Sequence, residues 1–297
     1  MKKILVTGKN GQVGWELQRT LASLGQIIAL DSQGMDLSDV DAIRRKVREV
    51  APDIIVNPAA HTAVDKAESE PDLAMVINGT AACVLAEEAK KLDALLIHYS
   101  TDYVFNGSKT SPYVETDTPD PQSVYGKTKL AGEQAIQAVG GKHLILRTSW
   151  VYGVHGGNFV KTILRLAKER SELRIVADQY GAPTWARLLA ESTAQIIGKY
   201  SEEKSGVYHL TPGGRTNWHQ FAEEIVRLAR QYDDALKDKP LTIHPIATHE
   251  YPLPAKRPAN SSLSTEKIRK TFGLELPQWD ADLAKCVRLL YVNAKPY

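Results

Sequence analysis

The chain has 297 residues, 43% of them hydrophobic and 24% charged, with 37 Lys and Arg against 35 Asp and Glu. That balance is typical of a globular protein with core enough for one large domain or two smaller ones. A net charge of +2 spread along the chain offers no basic stripe for nucleic acid, and no run of about 18 apolar residues could span a membrane.

MKKILVTG is too poor in apolar residues for a signal sequence but reads well as a strand ending in glycine. A helical pattern, WELQRTLASLG, closes at Gly25, and IIAL follows as a second strand. Ser38 is the expected N-cap of DVDAIRRKVREV, DIIVNPAA the third strand, and a long helix from about Asp72 to Lys91 leads into the strand ALLIHYS. Another helix starts near Val124, and HLILRTSW ends this half as a strand. Strands alternating with helices imply parallel pairing through crossover helices. The expected fold is therefore α/β, a Rossmann-type doubly wound parallel sheet over residues 1–150.

After Trp150, glycines at 153, 156 and 157 interrupt the pattern. The helix NFVKTILRLAKER follows, and then LRIVADQYGAPTW, GVYHLTPGG and KRPANSSLSTEKI read as loops. Residues 151–297 are expected to form a smaller mixed α/β lobe for the substrate, with the segment at about 185–200 packing back on the first sheet. Cys83 and Cys286 lie far apart in apolar sequence and read as buried thiols rather than a disulfide, consistent with a reducing, cytoplasmic setting.

The first strand-to-helix turn, Gly8-Lys9-Asn10-Gly11-Gln12-Val13-Gly14, has GxxGxxG spacing. Glycine is needed where the turn is tight and where backbone must approach a pyrophosphate held at a helix N-terminus. Asp31, at the end of the second strand, stands where an acid would accept from an adenosine ribose. That residue favours NADH, whereas Lys9 could pair with a 2′-phosphate and favour NADPH, so both cofactors stay open.

YGKTK places Tyr125 and Lys129 on one helical face, directly after the strand ending in Ser100, Thr101 and Asp102. Two further YxxxK matches, Tyr200 with Lys204 and Tyr291 with Lys295, lack that context. An ammonium about 4 Å from the phenol contributes up to about 4 kcal/mol at an effective dielectric of about 20, or about three pKa units. Lys129 is thus expected to bring Tyr125 towards neutrality as a proton donor. Thr101, or Ser100 if the register slips by one, would donate to the substrate oxygen, because side chains alternate along a strand. His98 reads as a satisfied core histidine. Asn158, Lys161 and Arg257 are candidate contacts for a diphosphate or sugar, which need cationic or amide donors, and Trp150 is either core or a stacking surface.

With GxxGxxG, the threonine and YxxxK together, the chain resembles the extended short-chain dehydrogenase/reductases that act on nucleotide sugars. GKNGQVGWELQ, NPAAHTAVDKAE, HYSTDYVFNG, YGKTKLAGE, RTSWVYG, DQYGAPT and RPANSSLSTEKI narrow the resemblance to the dTDP-4-dehydrorhamnose reductase family. The resemblance implies NADPH or NADH bound by Gly8, Gly11, Gln12, Val13, Gly14, Asp31, Asp36, Leu37, Ala59, Ala60, His61, Tyr125 and Lys129. It also implies that Thr101, Asp102 and Trp150 touch a sugar nucleotide whose 4-keto group is reduced. Some members form Mg²⁺-bridged homodimers; Glu16 and Glu191 fit that pattern, but Arg187 stands where a further acid is expected. Rival readings are a 4-epimerase or dehydratase on the same framework, although Tyr103 occupies the place of a dehydratase's second carboxylate, and a non-catalytic cofactor-binding subunit.

Overall fold

The computed structural model describes residues 1–292; Lys295, of the third YxxxK match, lies outside the described residues. Six parallel strands form the central sheet: β1 (Lys3–Val6), β2 (Gln26–Ala29), β3 (Ile54–Asn57), β4 (Leu95–Thr101), β5 (His143–Thr148) and, from later in the chain, β10 (Gly206–His209). Their order is β10-β5-β4-β3-β1-β2. The chain runs outward from β1 to β2 and then returns to β3 on the other side. That reversal opens a crevice at the carboxyl ends of the strands, where ligands of doubly wound sheets bind. The expected parallel α/β sheet is thus present.

Crossover helices cover both faces. Helices α2 (Val40–Val50), α5 (Ala81–Lys91) and α6 (Val124–Val139) pack over Leu5, Ile55, Leu96 and Ile145. On the other face, Ile4, Val56, Ile97 and Leu146 meet Leu17 of α1 (Gln12–Thr20) and Leu189 and Ile196 of α8 (Ala186–Gly198). The alternation of these residues along each strand is the two-residue period of a sheet buried on both sides. Helix α8 packs on this face of the central sheet through Leu189 and Ile196.

Two local expectations change. Helix α1 stops at Thr20, short of Gly25. Helix α2 is capped by Asp39, whose Oδ1 accepts from the Ala42 amide at 2.9 Å, because the Ser38 hydroxyl instead donates to Asp36. The long helix expected from about Asp72 to Lys91 is present as α4 (Pro71–Met75) and α5 joined by a π-helical turn over Val76–Thr80, and a separate short helix, α3 (Val64–Ser69), precedes it.

The remaining elements are β6 (Val151–Tyr152), α7 (Phe159–Glu169), β7 (Glu172–Val176), β8 (Tyr180–Gly181), β9 (Thr184–Trp185), β11 (Thr216–Asn217), α9 (Trp218–Ala229), α10 (Asp234–Lys237), β12 (Thr242–Ile246), α11 (Glu266–Phe272) and α12 (Trp279–Val292). Helices α7, α9 and α12 bury Ile163, Phe221, Ile225 and Val287 in a second core that also takes in Leu173 of β7. GVYH, read from the sequence as loop, is instead β10; pairing with β5 makes a strand of it. Among the described residues no helix is long and apolar enough to cross a membrane.

Candidate active site

The glycine-rich turn follows β1 at the crevice. Gly8 takes φ +59°, a left-handed conformation that favours glycine, and a Cβ there would lie 2.9 Å from that of Ala59. A Cβ on Gly14 would come within 2.1 Å of the Gly8 carbonyl oxygen, so only glycine lets α1 start this close to the strand. The Gly11 amide closes the turn on the same carbonyl at 2.9 Å. Gln12 and Val13 begin α1 with their amides in its first turn, where a helix leaves N–H groups free for an anion. These features leave the turn open and lined by free amides, a shape able to take an anionic group such as a diphosphate.

Both charge cues at the end of β2 meet in one contact. Lys9 Nζ lies 3.1 Å from Asp31 and Asn10 Nδ2 lies 3.2 Å from it, so the Asp31 carboxyl is held below its usual range, chiefly by hydrogen bonding to Lys9. Asp36 accepts from the amide and hydroxyl of Ser38, both at 2.8 Å, and Leu37 is buried beneath it. Across the crevice, Ala59, Ala60 and His61 form the loop after β3. Asn78 pins that loop: its Oδ1 accepts from the His61 amide at 2.8 Å, while Nδ2 donates to the His61 carbonyl and, at 3.0 Å, to Thr128 of α6. Asn78 sits in the π-helical turn, a distortion frequent at functional sites. Sequence reasoning missed this residue, since a π-turn leaves no periodic signature.

At the end of β4 the structure decides between Ser100 and Thr101. The Ser100 hydroxyl donates to Glu133, which is held by Arg147 through Nε at 2.9 Å and Nη2 at 2.6 Å. Thr101 points the other way: its hydroxyl donates to Asp102 Oδ1 at 3.0 Å and accepts from the Tyr103 amide at 3.2 Å. Tyr125 enters from the first turn of α6, started by Ser123 accepting from the Gly126 amide, and its ring meets Tyr103 edge-on at 5.6 Å.

Here the electrostatics differ from the expectation. Burial pushes the Tyr125 phenol up to about 12, Thr101 offsetting this in part and the Asp102 charge adding to it. Lys129, 2% exposed, spends its ammonium on the Tyr99 carbonyl at 2.6 Å and on His98 Nε2 at 3.1 Å rather than on the phenol. Burial brings Lys129 itself down to about 8, with Glu133 opposing. The expected acidification of Tyr125 by Lys129 is therefore absent from this arrangement, because the strand backbone claims the charge. Burial also raises Asp102, to about 6.

The expected substrate contacts fall into two groups. Trp150, at φ 47°, stacks on Trp218 with ring centroids 3.7 Å apart, above Gly181, where a Cβ would be 2.8 Å from the indole. Trp218, missed in the sequence, completes that aromatic wall. Asn158 caps α7 and donates to Gln12 Oε1 at 3.0 Å, and Lys161 stands one turn further on. Arg257 is committed elsewhere: its guanidinium grips Asp65 at 2.7 and 3.1 Å.

Glu16 and Glu191, the expected Mg²⁺ ligands, have the following neighbours within the single chain. Glu16, 2% exposed, is paired with Arg19 at 2.7 Å and with Arg187 at 3.4 Å, while Glu191 lines a surface groove with Arg187, Asp282 and Lys285. Among the described residues no three potential ligands converge. Both guanidinium groups fall on Glu16 Oε2, and two cations beside that oxygen oppose a third, while the buried Oε1 has no hydrogen-bond partner among the described residues.

The family model described as RmlD substrate binding domain matches residues 1–292. A dTDP-4-dehydrorhamnose reductase of Burkholderia thailandensis is 51% identical over 292 residues, covering 96% of this chain and 98% of that protein. The chain belongs to the dTDP-4-dehydrorhamnose reductase family. Among solved structures, the family member from Clostridium acetobutylicum superposes with a TM-score of 0.90 at 40% identity, covering 97% of this chain and 99% of the other. The member from Bacillus anthracis, in complex with NADP, gives 0.89 at 36% identity, covering 96% and 98%.

Proposed function

We propose that this protein reduces dTDP-4-dehydro-L-rhamnose to dTDP-L-rhamnose with NADPH, NADH being the alternative cofactor. The observation that carries the reading is that α6 carries Tyr125 and Lys129 one turn apart, with the Lys129 ammonium on the Tyr99 carbonyl of β4, the strand that ends in Thr101. The NADP complex of the Bacillus anthracis relative favours NADPH, and Lys9 supplies a cation beside the ribose-binding edge. Residues 1–150 would carry the cofactor, and the sugar nucleotide would lie between them and residues 151–292.

When bound, the dihydronicotinamide supplies the hydride to carbon 4 of the keto sugar. Tyr125 donates its phenolic proton to the oxygen left behind, with Thr101 donating a hydrogen bond to the same atom. Burial suits this role in one respect. A phenol held at about 12 keeps its proton throughout the physiological range, and an alkoxide is still more basic, so the transfer runs downhill. Lys129 adds positive charge beneath the reacting centre, Gln12 and Val13 offer amides to the diphosphate, and the Trp150 face is placed to stack on a base or sugar.

The test supplies dTDP-4-dehydro-L-rhamnose and its uridine counterpart with each reduced cofactor, follows nicotinamide absorbance and identifies the product by NMR. Stoichiometric cofactor oxidation with formation of dTDP-L-rhamnose is expected. Tightly held NAD⁺ with no net consumption would instead mean epimerisation.

A further inference from the structure

His98 lies in the middle of β4, 1% exposed, with a polar partner on each side of its ring. Nε2 is 3.1 Å from Lys129 Nζ, and Nδ1 is 3.0 Å from the side-chain amide of Asn57 on β3. The other end of that amide is 2.6 Å from the Thr7 hydroxyl, just after β1, which in turn accepts from the Ala59 amide at 3.3 Å. A chain of contacts thus runs from the lysine under the reacting centre, through β4, β3 and the residue that follows β1, to the loop against which Gly8 packs.

Donor counting sets the protonation. An ammonium can only donate, so Nε2 must accept; a neutral imidazole then carries its hydrogen on Nδ1, and Asn57 must turn its oxygen to it and its NH₂ to Thr7. The imidazole is neutral because burial and the adjacent Lys129 charge both oppose protonation. The other charged groups at this cluster are Glu133 and Arg147, paired with each other, and Asp102 at the strand end.

We propose that His98 is a positioning residue: as the neutral Nδ1–H tautomer it holds the Lys129 ammonium through Nε2 and ties it, through Asn57 and Thr7, to the Ala59 loop beside the glycine-rich turn. A strand position that only needs filling would take a leucine. This one instead supplies the acceptor that keeps a buried ammonium charged and aimed. The inference rests on the reductase reading for what Lys129 does in turnover, but the tautomer belongs to the protein alone.

The experiment has two arms. Histidine ¹⁵N NMR on the full chain without cofactor or substrate, with His98 assigned by difference from His98→Gln, is expected to show an unprotonated Nε2, a protonated Nδ1 and no titration through neutral pH. An Nε2–H tautomer, or an imidazolium at neutral pH, overturns the proposal whether or not the chain reduces the keto sugar. In the kinetic arm, His98→Leu removes the acceptor. It is expected to lower kcat about tenfold or more with KM for the sugar nucleotide nearly unchanged, and to move the alkaline limb of the pH profile about one unit towards acid, since burial then acts on Lys129 without compensation. His98→Gln, which keeps an acceptor at the end of its side chain, is expected to retain most of kcat and the original limb. A folded His98→Leu enzyme with wild-type kcat and an unmoved limb, or a His98→Gln enzyme as impaired as His98→Leu, contradicts it.

Discussion

Asn158 Nδ2 donates to Gln12 Oε1 at 3.0 Å, joining the start of α7 to the start of α1 across 146 residues of chain. The same nitrogen donates to the Gly153 carbonyl at 2.8 Å, and Oδ1 accepts from the Lys161 amide to cap α7. One side chain thus closes a helix and braces the glycine-rich turn, and two substitutions separate these tasks. Asn158→Asp keeps the cap and loses both donated bonds, whereas Asn158→Ala loses everything. We expect a severalfold weaker cofactor affinity in both by fluorescence titration. An additional loss of about 1 kcal/mol, or a few degrees in Tm, is expected only in Asn158→Ala. Unchanged cofactor affinity in both would show that the brace has no role.

Asp102 makes stability depend on pH in a stated direction. Its folded carboxyl is raised to about 6 from the usual 3.8, chiefly by burial, with Ser261 and Thr101 offsetting part of the effect. The folded state therefore binds the proton more tightly than the unfolded chain. The contribution from Asp102 is most favourable below about pH 4 and is lost as pH rises to about 6, at a cost of up to about 3 kcal/mol above that. Asp102→Asn is expected to raise Tm relative to wild type at pH 8, and the difference should shrink towards zero at pH 4. Turnover should fall at every pH, since Asp102 orients Thr101. A Tm difference that is constant across this range would mean that Asp102 titrates normally.

Glu16 and Arg187 predict metal independence. With the carboxylate held between Arg19 and Arg187, removing divalent cations with EDTA should change neither the mass found by light scattering nor Tm. Arg187→Ala leaves a buried carboxylate with Arg19 alone and is expected to cost about 1–3 kcal/mol in denaturant unfolding. A Tm that drops on EDTA treatment and recovers with Mg²⁺ would show that the cation binds after all.

Much of this site is legible in the sequence because its signals are local. GxxGxxG lies within seven residues, and the four-residue step from Tyr125 to Lys129 is one helical turn. Strand alternation reduces Ser100 and Thr101 to a choice of one, and the sheet register makes that choice. The illegible part depends on register between distant strands. His98 reads correctly as a buried histidine, yet its partners are Asn57, 41 residues before it, and Lys129, 31 residues after it. Only the β3–β4 pairing and the seat of α6 bring them together. Likewise nothing within GVYH announces a strand; its place beside β5 does. The pairing of Lys129 with the Tyr99 carbonyl escapes a helical-face argument altogether, because it depends on the neighbouring strand's backbone.

In the proposed reaction the Tyr125 phenol supplies the proton at carbon 4. Tyr125→Phe removes that hydroxyl and keeps the ring against Tyr103, so Tm and NADPH affinity should stay near wild type. The decisive measurement is kcat for dTDP-4-dehydro-L-rhamnose with saturating NADPH, side by side for the two proteins. A fall of at least about a hundredfold is expected, the scale of general acid catalysis. A variant that binds NADPH normally and turns over at close to the wild-type rate would contradict it.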